Sequence, residues 1–148
     1  MRRLFLVLIL TATGVGISTH AAEAAAPRIV IISGAPLRAQ VVISDWRQIG
    51  TIVGEIAGAR PAPRADLAHR PRMKVSMFWG SGWNDYLRSG KPASDLRPRD
   101  ANQFGSVYPA WRGRPAMIDL PWAGNWPRPL SAKARTILRQ NGIPMTLR

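Results

Sequence analysis

The sequence contains no cysteine, only two histidines and few acidic side chains. The first absence excludes a disulfide framework, thiolate metal sites and a cysteine nucleophile. The second excludes His-rich metal centres and leaves little material for Ser-His catalysis. His69 is isolated in a Pro/Arg-rich stretch and reads as a solvated loop residue. Phosphate-cradling loops, dinucleotide fingerprints, calcium loops and G-x-S-x-G elbows are also missing. So are zinc-finger spacing, RNP-like aromatic strands and basic zippers, and no specific nucleic-acid binding is expected. No cofactor, no metal and no assigned catalytic residue follow from these gaps. What is present is a 46% hydrophobic composition, enough for a packed core, and a formal charge of +13 from 21 Lys and Arg against 8 Asp and Glu.

The N-terminus reads as an address. Met1, Arg2 and Arg3 precede the uncharged, mostly apolar stretch 4–17. This is short of the ~20 residues that a spanning helix needs. Ala22-Glu23-Ala24 then fits an A-x-A cleavage pattern, with Thr19-His20-Ala21 as a second option. The expectation is a signal peptide over 1–24, with an uncleaved anchor as the competing reading. One domain over 25–148 would follow, secreted or periplasmic and without a transmembrane segment.

The body mixes strand and helix patterns. The run 28–33 (RIVIIS) is β-branched and continuous, as in a strand buried on both faces. Gly34-Ala35-Pro36 marks a turn, and 40–43 (QVVI) a strand pairing back. Trp46, Ile49, Ile52, Val53, Ile56 and Ala57 share one face at helical spacing, behind an Asp45 cap and ahead of Gly58. Trp46 is placed in the core on this pattern, and the Gly50, Gly54, Gly58 repeat is read as close approach of the helix to the sheet. The stretch 59–72 has three prolines and four arginines and reads as an exposed loop. Met73, Val75, Met77 and Trp79 alternate along a strand. One helical turn is expected at 83–87 and a loop over 91–102. Runs 107–111 and 115–120 form a hairpin closed at Arg112-Gly113, whose prolines 109 and 115 suggest a sheet edge. Ser131 caps a helix to Gln140 carrying Ala134, Ile137 and Leu138, and 143–147 returns as a short strand. The fold expected is α+β, a small single domain with a mostly antiparallel sheet and two helices.

Two features stand above background. Charge is the first. Only three of the basic residues are lysines (Lys74, Lys91 and Lys133), and the arginines are scattered without a run of five. That scatter favours bulk composition over a dedicated polyanion surface, the alternative being an arginine face for phosphate or carboxylate. The second is six tryptophans. Five of them sit at strand ends or in loops: Trp79, Trp83, Trp111, Trp122 and Trp126. With Asn84, Tyr86 and Arg112 they make a candidate ligand surface, because an indole face beside amide or cationic groups suits sugar rings and protein hot spots. The competing reading uses the same rings to pack long loops. The function expected is therefore an exported binding or interaction domain for an envelope polymer, anionic glycan or protein partner. Two alternatives are a small glycan hydrolase using Asp85 and Asp119 as paired carboxylates, and a structural accessory protein with no ligand site.

Overall fold

A computed structural model describes residues 27–92, 95–120 and 126–147. The expected signal peptide and Trp122 lie outside the described residues. Six strands form one antiparallel sheet: β1 (Ile29–Ser33), β2 (Val41–Ile43), β3 (Met73–Phe78), β4 (Gln103–Tyr108), β6 (Met117–Asp119) and β7 (Arg128–Pro129). Their spatial order is β2-β1-β3-β4-β6-β7. A second, two-stranded parallel pair joins β5 (Ala110–Trp111) to β8 (Thr146–Leu147). The helices are α1 (Trp46–Gly58), α2 (Ser81–Ser89) and α3 (Ala132–Gln140). This is an α+β domain with a mostly antiparallel sheet. It has three helices among the described residues, not two.

The sheet separates two apolar clusters. On one face Ile32, Val75, Met77, Val107 and Ile118 pack with Ile49 and Ile56 of α1 and Ala134 and Leu138 of α3. On the other, Ile29, Ile31 and Phe78 meet Leu96 and Ala101, with Trp83 and Tyr86 of α2 against them. The unbroken apolar run of β1 is thus required by burial on both sides, since alternate residues feed different clusters. Burying each such side chain contributes ~1.5–3 kcal/mol.

Local chemistry accounts for most element ends. Asp45 Oδ1 accepts from the amides of Arg47 (2.9 Å) and Gln48 (3.4 Å), capping α1. Ser131 Oγ accepts from the Ala134 amide at 3.1 Å and caps α3. Arg112 and Gly113 both have positive φ, 47° and 77°, closing a two-residue turn in which Trp111 and Arg114 exchange both backbone bonds. α1 and α3 are tied by Asn141 Nδ2, which donates to Gln48 Oε1 at 2.7 Å.

Three expectations about packing are corrected. Trp46 is 47% exposed, with the Arg47 guanidinium 5.3 Å from its ring centroid. It is the first residue of α1, so its place on the apolar arc does not bring it over the sheet, and Ile49 and Ile56 carry the burial. The helix glycines do not mark close approach either: a Cβ at Gly50, Gly54 or Gly58 would meet nothing within 4 Å. Gly54→Ala should therefore stabilise the protein by about 0.5–1 kcal/mol, through helix propensity alone, as read by urea denaturation. Nor do Pro109 and Pro115 mark an edge of the six-stranded sheet, although β5, after Pro109, pairs only with β8. β4 lies between β3 and β6, and β6 between β4 and β7. The prolines sit just past this ladder, where the hairpin leaves the main sheet for β5.

Segment 59–72 is tied to the sheet at several points. The Ala62 amide donates to Pro127 O at 2.8 Å, and Arg128 Nη1 donates to Ala59 O. Arg64 pairs with Asp119 at 3.5 Å. Arg70, following His69 at φ 60°, is only 6% exposed, and its Nη2 donates to Pro109 O (2.7 Å) and Pro115 O (2.6 Å).

Candidate functional site

The expected single turn at 83–87 is a nine-residue helix, α2, extending over Ser81–Ser89. It begins at Gly80 (φ 54°, ψ −119°) and ends at Gly90 in the left-handed conformation (φ 64°, ψ 9°), both positive-φ positions that favour glycine. Asn102 fastens it from the far side of the sheet end. Its Oδ1 accepts from the Trp79 amide at 2.9 Å, while its Nδ2 donates to Trp79 O at 2.6 Å. Gly82 permits this lock, since a Cβ there would stand 2.5 Å from Asn102 Cγ.

So held, α2 lays Tyr86 between Phe78 and Trp83. The Phe78–Tyr86 rings meet edge-on with centroids 6.1 Å apart, and Trp83–Tyr86 are tilted at 5.3 Å. Phe78 is buried, whereas Trp83 and Tyr86 are half-buried, so the cluster has an inner packing side and an outer one that reaches solvent. Beside it opens a cleft of about 330 Å³ bounded by α2 and the 91–102 segment. Tyr86, Asp85 and Ser89 line it from the helix, and Lys91, Asp100 and Asn102 from the segment. That segment is more than the expected loop. It contains a 3-10 turn (Pro98–Asp100) and buries Leu96 and Ala101. Gln40 Nε2 donates to Leu96 O at 3.3 Å, holding the segment to the start of β2.

The cleft's polar groups are partly engaged. Asp85 pairs with Arg88 at 3.1 Å, both well exposed, which contributes little to stability. Asp100 Oδ2 accepts from the Arg97 amide at 3.2 Å, and Ser89 Oγ donates to Tyr86 O at 2.6 Å. Within 81–102, Arg88, Lys91, Arg97 and Arg99 face Asp85, Asp95 and Asp100. In a chain of +13 this region is close to electrically balanced.

The structure divides the tryptophan surface expected from sequence. Trp79, Trp83, Asn84 and Tyr86 lie together at the α2 end of the sheet. Trp111 and Arg112 sit at the hairpin tip, with the guanidinium 4.4 Å over the indole. Asn102, bonded to Trp79, is nine residues from Trp111 along β4 and β5, roughly 30 Å of extended chain. Trp126 is 53% exposed, just before β7. Asp119 does not line the α2 cleft with Asp85; it lies on β6 with Arg64. Sequence reasoning missed Ser89, Lys91, Asp100 and Asn102 as cleft residues, although the lone Leu96 in a polar stretch was a signal that the segment packs down.

Among the described residues no group of three or more His, Asp or Glu is placed to hold a metal ion, and no helix is long and apolar enough to cross a membrane. The described residues form a small α+β domain with an aromatic-walled recess on its second sheet face. No family model matches the chain, and neither the curated proteins nor the solved structures contain a match to it.

Proposed function

We propose that the protein is an exported, secreted or periplasmic, glycan-binding domain whose ligand lies in the α2 cleft. The observation that carries this reading is the Tyr86 ring, with Trp83 tilted against it at 5.3 Å, at the wall of a recess of about 330 Å³ that Asp85, Ser89, Lys91 and Asp100 also line. A sugar ring offers one apolar face to an aromatic ring and a rim of hydroxyls to donors and acceptors. Carboxylate acceptors beside ammonium and hydroxyl donors match that rim. The near balance of charge favours a neutral sugar over a polyanion, a narrowing of the ligand class expected from composition. The hydrolase alternative receives less support, since Asp119 pairs with Arg64 and does not line the cleft that holds Asp85.

Tryptophan fluorescence titrated with a neutral N-acetylglucosamine oligosaccharide tests the proposal. A saturable change is expected, little altered by 0.5 M salt, because contacts in the recess are short-range. Tyr86→Ala should weaken binding at least tenfold, and Trp111→Ala should leave it unchanged. The proposal is overturned by no response to the oligosaccharide, or by a response only to polygalacturonate that salt removes.

A further inference from the structure

The second face of the sheet is covered at both ends and open between them. At one end α2, Leu96 and Ala101 lie over Ile29, Ile31 and Phe78. At the other, Tyr108 and Met117 are buried next to the hairpin carbonyls that Arg70 binds. The strand registers set one row across the open part: Ser33 of β1 opposite Lys74 of β3, Lys74 opposite Ser106 of β4, and Ser106 opposite Asp119 of β6. Residues directly opposite on adjacent antiparallel strands project to the same face with Cβ atoms about 5 Å apart. The four side chains therefore stand in line on that face.

Charge along the row is uneven. Asp119 is paired with Arg64, with its side chain 18% exposed. Lys74 is exposed and has no carboxylate partner among the described residues. Its neighbours on both sides are serines, half-buried and able to donate through their hydroxyls. Lysine is disfavoured in strands, and the same face otherwise carries Ile29, Ile31, Val42, Phe78, Phe104, Tyr108 and Met117, with Ser76 buried among them. An ammonium flanked by two hydroxyls on three consecutive strands can offer a donor from each strand, and the lysine gives the group a positive charge.

We infer that Ser33, Lys74 and Ser106 form a binding site for the phosphate of a phosphomonoester, separate from the α2 cleft and independent of the glycan reading. Three donor groups on three strands match a group with three terminal oxygens. A phosphomonoester also carries more negative charge than a carboxylate, so the lysine holds it more strongly. Lys74 supplies the charge, and the serines orient the group over the sheet. The exposed ring of Phe104, two residues from Ser106 on the same face, offers an apolar wall for whatever carries the phosphate.

Amide chemical shifts followed during titration with glycerol 3-phosphate test the site, with acetate at matched ionic strength as the comparison. Saturable shifts centred on residues 33, 74 and 106 are expected, at least fivefold weaker with acetate. Lys74→Met should weaken glycerol 3-phosphate binding at least tenfold and the Ser33→Ala/Ser106→Ala pair about threefold to fivefold. Lys74→Arg should retain it. Tyr86→Ala should leave this titration unchanged, so that a failed glycan reading and a failed phosphate site give different results. Lys74 is exposed, and far-ultraviolet circular dichroism of its variants checks that the fold is kept. Shifts spread evenly over the arginines, equal response to acetate, or undiminished binding by Lys74→Met would overturn the inference.

Discussion

Arg70→Ala is expected to destabilise the protein by about 3 kcal/mol, because two charge-assisted hydrogen bonds disappear and two carbonyls lose their donor. Those carbonyls belong to Pro109 and Pro115, on opposite sides of the hairpin. Proline brings no amide, so at these two positions the hairpin forms no cross-strand backbone bond from their nitrogens. One guanidinium replaces that missing link and joins segment 59–72 to both strands. An alanine leaves the buried Pro109 carbonyl without this donor, while the Pro115 carbonyl is nearer the surface. Calorimetry should show a fall of about 10 °C in Tm. Arg70→Lys should recover only part of it, since the lysine chain is one bond shorter and stops short of the place that Nη2 holds between the two carbonyls. An unchanged Tm would mean that the hairpin does not depend on this bridge.

Gly105→Ala is expected to cost about 3 kcal/mol as well, for a steric reason. A Cβ at Gly105 would lie 2.5 Å from Asp119 O and 2.5 Å from Leu120 Cδ2. The leucine can turn aside, but the carbonyl belongs to the neighbouring strand and can move only if β4 and β6 separate. Leu120, 3% exposed, crosses over the space that glycine leaves and closes the first core cluster there. Urea denaturation should show a lower midpoint with an unchanged slope. Ser106 and Asp119 are paired one residue away, so amide shifts of the Ser33–Lys74–Ser106 row should also move in this variant.

Much of the framework was legible in the residues. β1 and β2 follow from β-branched runs on either side of the Gly34-Ala35-Pro36 turn. α1 and α3 follow from the spacing of Ile49, Ile56, Ala134 and Leu138 behind Asp45 and Ser131. The hairpin closes at Arg112-Gly113, as the X-Gly pair indicates. In each case the cause acts over a few residues: a cap bonds an amide two or three positions on, and a turn needs positive φ at known places. The candidate site was legible only in part. Trp83 and Tyr86 do lie together, because they are three apart on one helix. Trp111 does not join them, since its distance depends on how far β4 runs before the hairpin.

The amino-acid sequence alone determined that this is a cysteine-free, strongly basic α+β chain, with most of the strands and two of the three helices found among the described residues. Those properties rest on composition and on local periodicity. Tertiary structure decided which tryptophans face solvent, that Arg70 is interior, and that residues 33, 74, 106 and 119 stand in one row. No spacing along the chain encodes such a row. It exists because burial on two faces selects the order β1-β3-β4-β6, and register then aligns four distant residues across it.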